Sequence, residues 1–198
     1  MSGFKFLLNN RELAAVSIHK RNIITAYVAG DVVGPELATG HLIGGYYGEP
    51  EETTHRIWLD GVVLAEGDEI EIQFLKSIVT SGAGMSIEEH AASHANDDVI
   101  DEVGDEDMYS WLARQPKVRE HFWFELEMPG CELIKTTTAP EDFSFHFGVM
   151  WKWTKPDEAG VQLSSTSLDN MKQKNAGKTL SRFKLHPGQG VKFRVGTG

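Results

Sequence analysis

The chain has 198 residues and a formal net charge of −10, with 40% hydrophobic and 24% charged residues. This composition is that of an ordinary folded protein, so wholesale disorder and a fibrous repeat are excluded. No apolar run approaches the roughly 18 residues that a membrane-spanning helix needs, and the N-terminus lacks the apolar segment and cleavage site of a signal peptide. The one cysteine, Cys131, excludes an intrachain disulfide framework. We therefore expect a cytoplasmic protein that does not enter a membrane.

Short alternating segments rich in Val, Ile, Phe and Thr occupy the first 80 residues and are typical of antiparallel β structure. They predict strands near 4–8, 12–18, 22–29, 38–46, 55–59 and 69–75. Asp60-Gly61 is typical of a tight turn between two such strands. Six short strands in this space predict a small sandwich or barrel-like unit.

The period becomes helical between residues 81 and 120. Ser86 followed three residues later by Glu89 is a capping-box pattern, which predicts a helix from there to about residue 95. A second helix is predicted from about residue 105 and must end or kink at Pro116. Seven acids lie between these helices and at the start of the second: Asp97, Asp98, Asp101, Glu102, Asp105, Glu106 and Asp107. Such a run attracts cations or a basic protein and repels nucleic acid, although a solvated linker has the same composition.

The second β-rich part begins near residue 121. It predicts strands near 121–127, 131–137, 142–153, 160–166, 179–185 and 190–195. Within 143–153 every odd position is apolar, and five of these six residues are aromatic, so this face is either core or a binding platform. We expect core for Phe143 to Val149, and treat Trp151 and Trp153 near the strand end as candidate partner contacts. Cys131 is expected to be a buried structural thiol.

The two ends of the chain share one pattern at a spacing of about 120 residues. Phe4 to Leu8 matches Phe122 to Leu126, and Leu64 to Phe74 matches Leu185 to Val195 with glycine on glycine. Ile23, Thr25 and Tyr27 fall where Phe143, Phe145 and Phe147 fall. The predicted fold is mainly β: two tandem, similar antiparallel β-sandwich or barrel-like units, 1–80 and 121–198, joined by a short acidic helical connector, 81–120. The second unit is interpreted as a repeat of the first.

Motifs for catalysis or metal binding are weak. His90 and His94 lie one helical turn apart and could share a metal, but the pattern lacks the intervening glutamate of a zinc protease helix. Gly177-Lys178-Thr179 ends like a phosphate loop, yet Lys172 occupies the position of the required first glycine. Seven bases and no acid follow Asp169; they form a phosphate-binding strip or the solvent face of strands. We predict no enzyme activity, no metal and no cofactor.

The charge pattern favours a non-catalytic protein that binds or inhibits a basic protein partner. Antitoxin and immunity proteins that neutralise basic nucleases have this kind of profile, because opposite fields speed encounter; the resemblance is one of type. The alternatives are a structural subunit that self-associates, or a small-ligand or carbohydrate module using Trp151, Trp153, Tyr46 and Tyr47. The predicted partner-binding residues are Asp97, Asp98, Asp101, Glu102, Asp105, Glu106, Asp107, Trp151 and Trp153.

Overall fold

The computed structural model describes residues 1–49, 53–93 and 108–198. In chain order the strands are β1 (Gly3–Leu8), β2 (Arg11–Ser17), β3 (Ile23–Asp31), β4 (Ala38–Tyr46), β5 (Thr54–Leu64), β6 (Glu69–Leu75), β7 (Phe122–Glu127), β8 (Ile134–Thr137), β9 (Ser144–Lys152), β10 (Ala159–Thr166), β11 (Lys178–Leu185) and β12 (Gln189–Thr197). The helices are α1 (Ile87–Ser93), α2 (Met108–Arg114) and α3 (Leu168–Lys172). The described part of the chain is therefore mainly β, as the alternating pattern predicts.

The strands form two antiparallel sheets of six strands each. Sheet A has the order β2-β1-β6-β12-β7-β8, and sheet B has the order β11-β10-β9-β3-β4-β5. Both sheets join strands of the first half to strands of the second, through the pairs β6–β12 and β3–β9. The two halves of the chain therefore share both sheets, since hydrogen-bonded ladders cross between them.

The two sheets pack face to face through aromatic side chains. Phe147 of sheet B stacks on Phe193 of sheet A with ring centroids 4.3 Å apart. Phe145 makes edge contacts with Phe122 at 4.7 Å and Phe124 at 4.9 Å. Each such side chain contributes about 1.5–3 kcal/mol by leaving water, so this layer holds the sheets together. The expectation that Phe143 to Val149 form core is confirmed, because the odd positions of that segment are buried.

Strand bounds follow the predicted ones closely, with one clear difference in β5. The predicted strands 38–46 and 69–75 match β4 and β6 at both ends. The tight turn predicted at Asp60-Gly61 is wrong, because β5 continues through it to Leu64. Gly61 adopts a φ of 62°, and the pairing of β4 with β5 shifts register close to it. A glycine that permits positive φ here makes a bulge inside the strand instead of a reversal.

The helices are short and lie outside the sheets' shared core. The predicted capping box opens α1: Ser86 N donates to Glu89 Oε2 at 2.7 Å, and Glu89 N donates to Ser86 Oγ at 3.1 Å. The second predicted helix is found as α2, before Pro116. The third, α3, was not predicted; Ser167 caps it. Among the residues described, no helix has the length and apolar character needed to cross a membrane.

The expected repeat correspondence between β3 and β9, at a spacing of 120 residues, is wrong by one residue. Ile23, Thr25 and Tyr27 are only partly buried, whereas their expected counterparts Phe143, Phe145 and Phe147 lie in the core. The buried residues of β3 are those at even positions: Ile24, Ala26 and Val28. Because side chains alternate between the two faces of a strand, a shift of one residue exchanges core and surface. The odd positions of β3 therefore point away from sheet A, onto the outer face of sheet B.

Candidate functional site

The outer face of sheet B carries three stacked rings from three neighbouring strands. Tyr27 of β3 stacks on His41 of β4 with centroids 4.5 Å apart. On its other side Tyr27 stacks on His146 of β9 at 5.3 Å. The partner of Tyr27 across the ladder is Gly148, and the His146 ring lies over that glycine, 2.7 Å from where a Cβ would stand. The missing side chain at Gly148 thus creates the space in which His146 lies flat.

Asp60 connects this ring stack to α1. His41 Nδ1 lies 2.9 Å from Asp60 Oδ1, and His90 Nε2 of α1 contacts the other carboxylate oxygen. Both imidazoles donate, because a carboxylate only accepts. The hydrogen bond from His90, and then that from His41, lowers the pKa of Asp60, although partial burial opposes this effect. The carboxylate is therefore ionised at neutral pH and ties helix and sheet together.

The two ring groups that flank this network are neutral at pH 7. Burial, followed by the nearby Asp60 charge, raises the pKa of Tyr27. Partial desolvation by the neighbouring protein, followed by the His41 charge, lowers the pKa of His146, whose outer edge is exposed. A protonated phenol and a neutral imidazole offer hydrogen bonds to a ligand without adding charge to this part of the face.

Thr39, His41 and Asp60 stand in the order of a hydrolase triad. His41 Nε2 lies 3.1 Å from Thr39 Oγ1, so a hydroxyl, an imidazole and a carboxylate follow one another. Acyl transfer also needs free backbone N–H groups for the oxyanion. Thr39 lies inside the sheet, where it pairs with Ala29 on one side and Val63 on the other. The contacts with Thr39 and Asp60 orient the His41 ring.

Three exposed aromatic residues lie where β4 and β9 end; we call Tyr46, Tyr47 and Trp153 the aromatic end. Their exposed fractions are 39%, 44% and 63%. Asn22 links two of these residues. Its side chain makes two hydrogen bonds to the backbone of Tyr47, at 2.7 and 2.9 Å, and its backbone carbonyl accepts a hydrogen bond from Trp153 N at 2.9 Å. The aromatic residues therefore project from a hydrogen-bonded frame.

The structure separates the predicted partner-binding residues. Trp151 is 3% exposed and packs in the core, with its indole N–H donating to Pro156 O at 3.1 Å. It offers no surface to a partner, because its position in β9 faces sheet A. Trp153, two residues further on, is exposed beyond the end of the strand. The seven acids of 97–107 lie outside the described residues, as does His94.

Two further expectations about reactive or charged groups have clear outcomes. The expectation of a buried Cys131 is wrong: the thiol is exposed, because the residue falls in the turn before β8. Five of the seven bases after Asp169 lie in β11 and β12, and three of these five, Lys184, Lys192 and Arg194, pair with acids of the described ranges. Lys184 bonds Glu158 at 2.8 Å, and Lys192 bonds Glu69 at 2.9 Å. Arg182 is exposed and makes no ion pair with any residue of the described ranges.

Sequence reasoning missed the network of Tyr27, His41, Asp60 and His146. The signal that was available is the alternation in β3 and β9, which places Tyr27 and His146 on polar positions of two apolar strands. Within the described ranges, no group of three or more His, Cys, Asp and Glu side chains is placed to hold a metal ion. Comparison with known proteins gives no match, whether to a family model, a curated protein or a solved structure.

Proposed function

We propose that this chain is a non-catalytic protein-binding protein, of antitoxin or immunity type, which neutralises a basic partner. The aromatic end is the observation that carries the proposal. Trp and Tyr are the side chains most enriched among residues that dominate binding energy at protein interfaces. Here they are exposed, and Asn22 fixes the backbone at Tyr47 and Trp153, which limits the backbone freedom lost on binding.

Charge supports the basic character of the partner. The chain has a net charge of −10, and seven of its carboxylates fall within residues 97–107. A field of one sign steers a partner of opposite sign and disfavours like-charged competitors. In this proposal the acidic run speeds encounter, and the aromatic end provides the anchor.

We also infer that 1–80 and 121–198 are two copies of one unit, with 81–120 as the connector. The spatial order of the strands supports this inference. In sheet A the order β2-β1-β6 corresponds to β8-β7-β12, and in sheet B the order β5-β4-β3 corresponds to β11-β10-β9. The core residues agree with a shift of 121 positions: Ala38 corresponds to Ala159, and Leu64 to Leu185, all fully buried. Two copies with one core leave two outer faces free to diverge.

The test is capture of partners from the native host at low salt, with elution by a salt gradient and identification by mass spectrometry. We expect one basic protein that leaves as salt rises, since screening weakens surface electrostatics. The double variant Asp101→Lys/Glu102→Lys should lower its affinity at least tenfold. The control Glu36→Lys/Glu132→Lys makes the same charge change at exposed positions elsewhere and should have a smaller effect.

Trp153→Ala tests the anchor separately. It should weaken the captured complex at least tenfold with little change in its salt dependence, because an apolar anchor acts after encounter. Val79→Ala, at another exposed apolar residue, is the matched control. Equal affinity of wild type and both test variants would contradict the proposal. Recovery of the chain alone would favour the alternative of a self-associating structural subunit.

A further inference from the structure

A hollow of about 800 Å³ lies on the outer face of sheet B, over β9, β10 and β11. The pairing register explains it. Gly148 is opposite Gln162, and Met150 is opposite Gly160, so two glycines stand on neighbouring strands one step apart. Gly160 is exposed, whereas Gly148 is buried beneath the His146 ring. The floor of the hollow is therefore the backbone at Gly160, next to the His146 ring that covers Gly148.

The rim of this hollow is basic, in a protein that is acidic overall. Its lining includes four cations and one carboxylate: Lys152, Lys155, Arg182, Lys184 and Glu158. Glu158 is shared by Lys155 at 3.1 Å and Lys184 at 2.8 Å. Lys152 and Arg182 have no ion-pair partner among the described residues. Two cations consequently face the hollow with their charge uncompensated.

We propose that this hollow binds a small anionic ligand bearing carboxylate or phosphate groups, which Arg182 and Lys152 contact. A guanidinium fits planar carboxylate or phosphate oxygens with two parallel hydrogen bonds, and an ammonium adds a mobile point charge. Ligand sites combine a concave, partly apolar surface with a few polar groups that set orientation. Met150 and the His146 ring supply the apolar part and a neutral polar group beside the cations.

This site extends beyond the proposed protein-binding role and uses different residues. The acidic run and the aromatic end would attract a basic protein, whereas the hollow attracts an anion. Loss of one activity therefore leaves the other measurable. The two binding activities also respond to opposite changes of charge. Loss of acidic residues should weaken binding of the basic protein, whereas loss of basic residues should weaken binding of the anion.

The first experiment is isothermal titration calorimetry of the full chain at low salt with two probes, tripolyphosphate and citrate. We expect saturable binding of at least one probe with one site per chain. Binding of tripolyphosphate alone assigns phosphate as the recognised group, and binding of citrate alone assigns carboxylate. The double variant Arg182→Gln/Lys152→Gln should lower affinity at least tenfold. Arg11→Gln/Lys76→Gln removes the same charge from exposed positions elsewhere and should lower affinity less than threefold.

A second variant tests the shape of the hollow without changing its charge. A Cβ on Gly160 would meet only Met150 O, at 3.9 Å, and Gly160 does not have a positive φ. Gly160→Leu can therefore occupy the hollow in a normal strand conformation. We expect at least a tenfold loss of affinity with an unchanged melting temperature. Absence of binding to wild type, an equal loss in both charge variants, or undiminished binding by Gly160→Leu would each overturn the proposal.

Discussion

The outer faces of the two sheets are built from similar strands but differ in how their charged residues are paired. On sheet A, Glu69 binds Lys192 at 2.9 Å and also contacts Arg194. Arg194 reaches Glu125 at 3.4 Å, and Glu125 reaches Lys135 at 2.6 Å. On sheet B the outer face holds a ring stack and the hollow, whose rim has the paired cations Lys155 and Lys184 as well as Lys152 and Arg182.

The difference shows where recognition is expected. Opposite charges placed directly across neighbouring strands stabilise a sheet and leave little unsatisfied charge for a ligand. Arg194 pairs in this way with Glu69 on β6 and with Glu125 on β7. Sheet A therefore uses these charges for its own stability, whereas sheet B leaves Lys152 and Arg182 without an ion pair to any described residue.

The largest expected effect comes from the core that both faces share. Phe193→Ala removes a fully buried ring that stacks on Phe147 of the opposite sheet. We expect a loss of about 3–5 kcal/mol in the free energy of unfolding, because a cavity remains where the ring was. Urea denaturation followed by circular dichroism measures it. Trp153→Ala, at an exposed site, should cost within about 0.5 kcal/mol; similar losses for both would contradict the shared core.

The next effect concerns the compensated face of sheet A. Glu69→Gln should lower the free energy of unfolding by about 1–2 kcal/mol at pH 7, because it weakens hydrogen bonds to two cationic groups. Glu12→Gln, in the more exposed pair with Lys5 at 2.7 Å, should cost less than about 1 kcal/mol. Urea midpoints of the two variants give the comparison. Equal free-energy costs would mean that the ion-pair network around Glu69 stabilises the fold no more than the isolated pair of Glu12 with Lys5.

The Glu69 effect should also depend on pH. Burial alone would raise the pKa of this carboxyl, but the hydrogen bonds and charges of Lys192 and Arg194 lower it overall. Because the folded pKa lies below the unfolded value of about 4.3, the contribution is fully present above that value. It is lost as pH falls through the folded pKa. The stability difference between wild type and Glu69→Gln should therefore shrink as pH falls below about 4.3; a constant difference would contradict the lowered pKa.

A smaller effect is expected where sheet B holds α1. Asp60→Asn removes the carboxylate that His41 and His90 share. We expect a cost of less than about 1 kcal/mol, since the pair is partly exposed, but faster amide exchange in α1. Hydrogen exchange read by mass spectrometry over residues 86–93 measures this local opening. Asp169→Asn, at an exposed site in α3, should leave that exchange unchanged, and unchanged exchange in Asp60→Asn would refute the link.

Local patterns predict much of this fold, because strand alternation and helix capping depend on nearby residues. Phe143 to Val149 could be placed in the core from period two alone, and Ser86 with Glu89 could be placed at a helix start. The division into separate units could not be tested that way, since the pairs β6–β12 and β3–β9 join residues far apart in sequence. The Gly61 bulge was also misread, because a turn and a bulge use the same glycine conformation.

The groups on the outer face of sheet B could not be predicted either, because they also come together through pairing of strands. His41, Asp60 and His90 meet only after β4 and β5 pair around the bulge and α1 folds back onto β5. The hollow depends on Gly148 and Gly160 reaching adjacent positions, which the β9–β10 register determines. Single glycines in a strand pattern give no indication of which neighbour they will face. The predicted acidic contact residues remain a prediction, since they lie outside the described ranges.

The smallest expected difference is the one between the stability costs of two matched arginine variants, one on each outer face. Arg182→Gln and Arg194→Gln make the same substitution on the outer faces of sheets B and A. Arg194 contacts Glu69 and Glu125, so its loss should cost about 1 kcal/mol. Arg182 has no described ion partner, so its loss should fall within about 0.5 kcal/mol of wild type. Parallel urea titrations measure both. An arginine that can be removed without loss of stability is free to serve a ligand, whereas equal costs would show that Arg182 is as much a structural residue as Arg194.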